Sequence, residues 1–145
     1  MSTPRTFAIL KPHNPVIQQK IIGVLIEKGF KIVRQEIQLL DIDVLREHYA
    51  HHVEKDFFPP MAEYMTSGPS ILLILERVNE FDPVEQLQKL AGKTDPKKGV
   101  PGELRYDFGL HYHDPEHPGW VFYNAIHCSD PGEVEIEIAR FFPNP

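Results

Sequence analysis

The sequence predicts an α+β fold, in which a four-stranded antiparallel sheet of the ferredoxin-like (split βαβ) type is covered by helices on one face. Three observations support this prediction. Apolar runs of strand length alternate with longer segments of helical periodicity. Their order is strand, helix, strand, helix pair, strand, helix, loop, strand and helix, which suits this architecture. The 145 residues contain no internal repeat or linker, so we predict a single domain over residues 1–145.

The first three elements are predicted from hydrophobic periodicity. Residues 6–10 form an apolar run that ends at Lys11-Pro12, which is typical of a buried strand. A mostly apolar helix follows from Asn14 or Pro15 and ends at Gly29. Residues 31–39 alternate between polar and apolar side chains, and this pattern predicts a longer strand.

The later elements are predicted from caps, helix breakers and continuous apolar runs. They are, in order, a helix from the cap Asp41 through Tyr49, a short helix that starts at Pro59 or Pro60, a central strand over residues 71–75, a helix from Asp82-Pro83 to Gly92, and a final helix over about residues 131–141.

Two stretches near the end of the chain bear on function. Residues 94–102 form a Pro/Gly-rich loop, and irregular loops of this length in compact domains are often functional. Residues 110–112 and 120–123 flank a polar tip and predict an extra hairpin before His127. The second arm would be a strand that ends just before His127, with the last helix starting just after it. A helix N-terminus favours anions such as phosphate, and an imidazole can be a neutral nucleophile near pH 7.

Composition excludes several classes of function. The net charge of −6 and the pI near 5.7 argue against a nucleic-acid-binding protein. No apolar run approaches the roughly 20 residues that a membrane-spanning helix needs, and the N-terminus lacks the pattern of a signal peptide. The single cysteine, Cys128, rules out an intrachain disulfide. We therefore expect a cytoplasmic protein without nucleic-acid or membrane partners.

The chain resembles a nucleoside diphosphate kinase over most of its length. Four stretches carry the resemblance, in the order in which the family has them: residues 6–12 (TFAILKP); residues 48–50 (HYA) with Phe57-Phe58 and residues 64–69 (YMTSGP); residues 92–96 (GKTDP) with residues 101–108 (PGELRYDF); and residues 124–130 (NAIHCSD). Each stretch alone is a weak signal, but together they are specific.

The resemblance implies a reaction and a set of roles. His127 would take the terminal phosphate of a nucleoside triphosphate such as ATP and pass it to a nucleoside diphosphate. The other implied roles are Lys11 and Arg105 as cationic phosphate ligands, Thr94 and Asn124 as polar contacts to phosphate and ribose, Lys11 and Asn124 as contacts to the sugar hydroxyls, Tyr49 as the hydroxyl beside the histidine, Glu137 as the carboxylate that orients it, Ser129 as a nearby hydroxyl, and Phe57 with Val121 as the apolar clamp on the base.

The resemblance also implies a cofactor and an assembly. Mg²⁺ would arrive bridging the nucleotide phosphates, so we expect no dedicated metal site in the protein. The protein would form a homo-oligomer built from dimers.

The chain departs from the family pattern at several positions. Gln88 aligns where a second phosphate-binding arginine is usual, with Lys89 beside it. Losing one charged contact would weaken nucleotide binding by about 1.5–3 kcal/mol unless Lys89 or Gln88 replaces it. Cys128 stands where a glycine usually follows the histidine, and it would be strained if this position needs a positive φ. His13-Asn14 replaces an Asp-Gly pair.

Alternative interpretations remain at the level of the sequence. The departures motivate a catalytically weakened relative that binds nucleotides as a scaffold or regulatory module. Cys128 could be a thiol nucleophile, although the resemblance makes it a bystander. His48 and His52, spaced i, i+4, could share a metal-binding helix face, but a surface cluster is the favoured interpretation. The same holds for the histidines of the hairpin, which are His111, His113 and His117.

Overall fold

The computed structural model describes residues 4–12, 14–77, 81–109 and 123–142. Its strands and helices are β1 (Arg5–Leu10), α1 (Pro15–Glu27), β2 (Phe30–Gln38), α2 (Ile42–His48), α3 (Phe58–Met65), β3 (Ser70–Arg77), α4 (Pro83–Ala91), α5 (Leu104–Phe108), β4 (Ile126–Cys128) and α6 (Val134–Phe141). Short 3₁₀ helices occupy Ala50–His52 and Pro96–Lys98.

The four strands form one sheet in the order β2-β3-β1-β4, and every neighbouring pair is antiparallel. The predicted α+β class and four-stranded antiparallel sheet are therefore confirmed. The apolar run at residues 71–75 lies in β3, which has a neighbour on each side, as expected for a central strand.

Helices cover both faces of the sheet, so the expectation of a single covered face was wrong. In β1, Phe7 and Ile9 belong to one hydrophobic cluster, which α2, α3 and α6 complete. Ala8 and Leu10 belong to a second cluster on the opposite face, completed mainly by α1 and α4. The physical reason lies in the strand itself. Successive side chains point to opposite faces, so a continuously apolar strand must be buried on both.

Side-chain caps start the helices where the sequence places them. The carboxylate of Asp41 accepts hydrogen bonds from two backbone N–H groups of α2, and that of Asp82 accepts one from Val84 at 3.1 Å. Asn14 caps α1 in the same way. Gly29, with a φ of 94°, follows the end of α1, as predicted from its freedom to adopt left-handed conformations. None of the described helices is both long and apolar enough to cross a membrane.

The region around His127 differs from the sequence-based expectation. The strand is β4 itself, so His127 is its middle residue and does not follow its end. The last helix begins at Val134 instead of near residue 131, because residues 131–133 form a turn in which Gly132 has a φ of 84°. The expected anion site at a helix N-terminus next to His127 is therefore wrong. The predicted hairpin at residues 110–123 lies outside the described residues, apart from Tyr123.

Candidate active site

A cavity of about 520 Å³ lies where the end of β1 meets the start of β4. Its lining includes seven of the residues that the sequence singled out: Lys11, Tyr49, Gln88, Thr94, Arg105, Asn124 and His127. Four others complete it: His52, Gly92, Cys128 and Asp130. Residues distant in the sequence thus converge on one concave site, which is the usual form of a small-molecule site.

Strand pairing brings the first and last motifs of the chain together. Ile9 of β1 lies opposite His127 of β4. The backbone N–H of Lys11 donates to the carbonyl oxygen of Ala125 at 2.9 Å. These backbone contacts hold Lys11 beside the segment that carries the histidine, independently of side-chain rotamers.

The carboxylate of Glu137 fixes the tautomer of His127. Its Nε2 lies 2.8 Å from Oε1 of Glu137, and the Ser129 hydroxyl donates to the same oxygen at 2.5 Å. Because a carboxylate accepts, Nε2 carries the proton, and Nδ1 keeps the lone pair. Burial raises the pKa of Glu137. The hydrogen bonds from His127 and Ser129 and the nearby His48 outweigh burial, so the pKa is held below its ordinary value.

Two basic side chains line the cavity, and Lys11 is more deeply buried than Arg105. Lys11 is only 2% exposed, and its ammonium donates to Oδ1 of Asn124 at 2.7 Å. Burial, followed by the nearby guanidinium of Arg105, lowers the pKa of Lys11 well below its usual value. Both effects penalise the charged amine, and an anion in the cavity would counter them. A phosphate would therefore be bound together with a gain or retention of the Lys11 proton.

Backbone carbonyl groups orient the other polar side chains of the cavity. The guanidinium of Arg105 donates to the carbonyl oxygen of Ile126 at 3.1 and 3.2 Å and to that of Gly92 at 3.1 Å. The amide of Asn124 donates to the carbonyl oxygen of Thr94 at 2.9 Å. These contacts tie the irregular loop after α4 to the segment before β4, so the cavity wall is preorganised.

The turn that leads into β4 is strained at Ala125. Its φ is 73°, and among the described residues it is the one non-glycine residue with a positive φ. The N–H of Ile126 donates to the carbonyl oxygen of Asn124 at 2.9 Å, which closes a γ-turn around Ala125. Strain of this kind often accompanies functional sites.

Cys128 is not strained, because its position does not have the positive φ on which the expected strain depended. It lies in β4 with ordinary strand geometry and packs against the sheet core. Burial raises the pKa of its thiol to about 11, so the thiol is protonated near neutral pH and is a poor nucleophile.

The arrangement at Gln88 differs from that of a free phosphate ligand. Its side-chain amide donates to the Asp130 carboxylate at 2.8 Å and to the Ser129 carbonyl oxygen at 3.3 Å. Lys89 pairs with Glu85 at 3.1 Å and does not line the cavity. Gln88 is neutral and Lys89 is paired outside the cavity, so neither residue supplies the positive charge of the usual arginine.

Of the two residues expected to clamp the base, only Phe57 lies in the described part of the chain. Phe57 is half-buried and lies beside the cavity, with its ring 5.4 Å from that of His52, which lines it. Val121 lies outside the described residues. The clamp stays a prediction.

Sequence reasoning missed the position of His48. Its side chain is only 3% exposed, so the interpretation as part of a surface cluster with His52 was wrong for this residue. Its ring lies 4.6 Å from the His127 ring, and Nδ1 accepts a hydrogen bond from Arg140 at 2.9 Å. The available signal was its place directly before Tyr49 in a motif already assigned to the site.

His48, His127 and Glu137 resemble a metal centre only superficially. Their potential ligand atoms lie within 4.8 Å of one another. A tetrahedral zinc ion needs its ligands about 3.4 Å apart, as its bond lengths of about 2.1 Å imply. The guanidinium of Arg140 already contacts His48 Nδ1. We therefore interpret the three side chains as a hydrogen-bonded and packed cluster.

Comparisons with known proteins all point to the same family. The sequence model described as "Nucleoside diphosphate kinase" matches residues 4–145. A nucleoside diphosphate kinase of Natronomonas pharaonis is 38% identical, over 97% of this chain and 86% of the relative. One of Pyrococcus horikoshii is 39% identical, over 97% of this chain and 85% of the relative.

Solved structures agree with the sequence relatives. The halophilic nucleoside diphosphate kinase of Halobacterium salinarum, solved in complex with CDP, superposes with a TM-score of 0.79 at 34% identity, covering 99% of this chain and 90% of that one. The Aquifex aeolicus enzyme gives a TM-score of 0.80 at 28% identity, covering 97% and 96%. A histidine–carboxylate pair facing a cavity with two cations, on this sheet and with these relatives, places the chain in the nucleoside diphosphate kinase family of phosphotransferases.

Proposed function

We propose that this kinase works by a ping-pong mechanism through a phosphohistidine on His127. The observation that supports it best is the 2.8 Å contact between Nε2 of His127 and Glu137, which leaves the Nδ1 lone pair as the nucleophile. In the first half-reaction a bond forms between Nδ1 and the γ-phosphorus of ATP. The bond to the bridging oxygen breaks, and its electron pair leaves with ADP. A second nucleoside diphosphate then takes the phosphoryl group by the reverse chemistry.

The surrounding groups act mainly through charge and position. Phosphoryl transfer needs an aligned nucleophile and positive charge around the transferring oxygens. We assign these charges to Lys11 and Arg105, with Thr94 and Asn124 as polar contacts to the nucleotide. As Nδ1 attacks, positive charge develops on the imidazole. The Glu137 carboxylate at Nε2 stabilises that charge, and it also holds the ring in one tautomer.

Other assignments concern the hydroxyl and the base. Tyr49 lines the cavity beside His127, and burial raises the pKa of its phenol, which therefore acts as a neutral hydrogen-bonding group. We propose Phe57 and Val121 as the clamp on the base. Clamping a base by its faces tolerates every base, because each has a π-face.

Incubation with γ-labelled ATP and Mg²⁺ tests the phosphohistidine directly. We expect an acid-labile, alkali-stable label on the wild-type protein and none on His127→Ala. His51→Ala is the matched control, since His51 is an exposed histidine that does not line the cavity. A label that persists in His127→Ala, or one absent from the wild type, would refute the mechanism.

Divalent cations act with enzymes of this family, and we propose that Mg²⁺ enters with the nucleotide. Among the described residues that line the cavity, Asp130 supplies the carboxylate, whereas Lys11 and Arg105 supply positive charge. This donor set suits a cation held mainly by phosphate oxygens and water, with Asp130 as an outer partner. Bound Mg²⁺ would neutralise phosphate charge.

A second candidate function is a catalytically weakened nucleotide-binding relative. It is favoured by Gln88, a neutral side chain that contacts Asp130 and stands where the family pattern has an arginine, so the cavity has one cation fewer. Turnover of a second diphosphate separates the two candidates. A kcat of at least about 1 s⁻¹, the lower end for enzymes, supports the kinase. Labelling of His127 without transfer supports the weakened relative.

Members of this family bind nucleotides, and we further propose a homo-oligomer built from dimers. Val33, Ile37 and Leu39, at the exposed face of the edge strand β2 and just beyond it, are 48%, 65% and 70% exposed. An unpaired strand edge with apolar side chains favours pairing with another chain. Sedimentation of Ile37→Lys against the wild type tests this surface, and an unchanged mass would reject it.

We propose a cytoplasmic location without nucleic-acid or membrane partners. Nucleotide substrates are abundant there, and the net charge of −6 disfavours polyanions. Cell fractionation and a DNA mobility-shift assay at low salt test these proposals. Enrichment with membranes, or salt-sensitive retardation of DNA, would contradict them.

A further inference from the structure

His48 lies directly behind His127, and the phosphotransfer mechanism assigns it no role. Its ring meets the His127 ring edge-on at 4.6 Å with an interplanar angle of 87°. On its other sides it meets Phe141 at 5.1 Å and Tyr49 at 4.5 Å. The His48 ring is therefore wedged between α6 and the histidine of β4.

Arg140 determines the protonation pattern of this ring. Its Nη1 lies 2.9 Å from Nδ1 of His48. A guanidinium can only donate, so Nδ1 must accept, and the single ring proton is on Nε2. Glu47 lies 3.7 Å from Nε of Arg140 and provides an opposite charge to the guanidinium. The Arg140 side chain is only 16% exposed, so it holds this position in a partly desolvated setting.

We propose that Arg140 and His48 are positioning residues for His127. Arg140 keeps His48 neutral and in one tautomer. The neutral His48 ring then supports the His127 ring and does not compete with it for the Glu137 carboxylate. This inference rests on the proposed function of His127 as the nucleophile. Neither residue touches the reacting atoms.

Charge explains why a neutral His48 matters. The groups that face it are His127 from β4, Glu137 and Arg140 from α6, Tyr49 from the end of α2, and Lys11 from the end of β1, while the exposed Glu47 contacts Arg140. Burial contributes most to lowering the pKa of His48 to about 3, followed by His127. Arg140 and Lys11 lower it further, whereas Glu137 raises it.

A protonated His48 would disturb the site in two ways. Its Nδ1 lies 4.0 Å from Oε2 of Glu137, so the new cation would attract the carboxylate that serves His127. It would also oppose the positive charge that develops on the His127 ring during attack. Arg140 prevents both effects, because a second proton on Nδ1 would face the guanidinium.

The first test measures the tautomer in the wild-type protein. Nitrogen-detected NMR of ¹⁵N-histidine protein, without nucleotide, should show the His48 ring neutral with its proton on Nε2 from pH 8 to pH 5. A His48 that titrates near pH 6.5, or that carries its proton on Nδ1, overturns the proposal. This readout does not depend on phosphotransfer, so it is distinguishable from a failure of the proposed His127 chemistry.

The second test uses Arg140→Met, which keeps an unbranched side chain but removes the donor and the charge. Removing Arg140 should raise the pKa of His48, so kcat should fall more steeply than in the wild type toward the acid end of the pH range in which the protein stays folded, while KM for ATP changes less than about twofold. Arg140→Lys should restore the profile, because an ammonium can also donate to Nδ1. Arg46→Met is the matched control, since Arg46 is an exposed residue of α2 with 62% of its side chain accessible.

General damage to the fold predicts a different pattern. If Arg140→Met only loosened the packing, kcat would fall equally at all pH values and Arg140→Lys would not restore the profile. Either result overturns the proposal. If Arg140→Met does not fold, the NMR measurement on the wild type and the profile of Arg140→Lys still decide it.

Discussion

At the scale of single residues, the site depends on which side-chain atoms are already occupied. Glu137 is 6% exposed and accepts hydrogen bonds from both His127 and Ser129 through one oxygen. Gln88 is occupied in a comparable way, by Asp130 and Ser129. Substitutions at these two positions therefore separate charge from geometry.

Glu137→Gln should lower kcat by roughly a hundredfold or more and change KM little. The amide keeps the shape but cannot stabilise the cationic imidazole, and it can hold the ring in the wrong tautomer. Steady-state kinetics with ATP and a second diphosphate measure this loss. The exposed neighbour Glu135→Gln removes the same charge from the helix and should leave kcat unchanged, although it gives up a surface ion pair with Arg5. Equal kcat for Glu137→Gln and the wild type would contradict the role assigned to Glu137.

Gln88→Arg should lower KM for the nucleotide by about tenfold, which corresponds to about 1.4 kcal/mol. The new guanidinium faces the cavity, although part of its effect is lost to pairing with Asp130. Gln86→Arg on the same helix is the charge-matched control, since Gln86 does not line this cavity. A KM that decreases equally in both variants would indicate general attraction of the anion.

At the scale of elements, the short strand β4 depends on the turn before it. Only three residues form this strand, and its pairing with β1 sets the height of His127 in the site. The turn achieves this with a positive φ at Ala125, a conformation that β-branched residues adopt only with strain.

Ala125→Val should destabilise the protein by about 2 kcal/mol, because it adds bulk and branching at a φ of 73° in a buried position. Ala125→Gly should be near neutral, since relief of strain is offset by the entropy of glycine. Urea denaturation measures both changes. Ala50→Val serves as the control at an exposed position. Equal losses in the glycine and valine variants would contradict strain as the cause.

At the scale of the whole molecule, the buried ionisable groups couple stability to pH. The pKa of His48 falls from 6.5 to about 3 in the folded protein. Between these values the unfolded chain binds a proton that the folded chain does not. Stability contributed by this group is therefore complete above pH 6.5 and is lost as the pH falls toward 3.

We expect the free energy of unfolding to decrease by up to about 1.4 kcal/mol per pH unit below pH 6.5 from His48 alone. Glu137, whose pKa is lowered, adds a further loss below its usual value of 4.5. Denaturant unfolding at several pH values measures the slope. His48→Asn should flatten it between pH 4.5 and 6.5, whereas the exposed His51→Asn should not. The same slope in all three proteins would show that His48 is not the source.

Much of the fold could be predicted because its signals are local. Apolar runs gave the interior strands, and Asp41 and Asp82 gave helix starts, since a cap and its N–H partners are close in sequence. The short strand that contains His127 was not predicted, because three residues are too few for a periodic pattern. The start of α6 was placed too early, because the turn before it depends on the backbone conformation of a single residue, Gly132.

By itself, the sequence determined the family, the order of the motifs and the identity of most of the side chains around His127. These properties follow from residue types and from their spacing along the chain. Only the tertiary structure decided that His48 is buried against His127 under the control of Arg140, that Gln88 is turned toward Asp130, and that Ala125 carries the strain. The reason is physical. Protonation, hydrogen-bond direction and strain depend on partners from other elements, and local sequence patterns do not contain those distances.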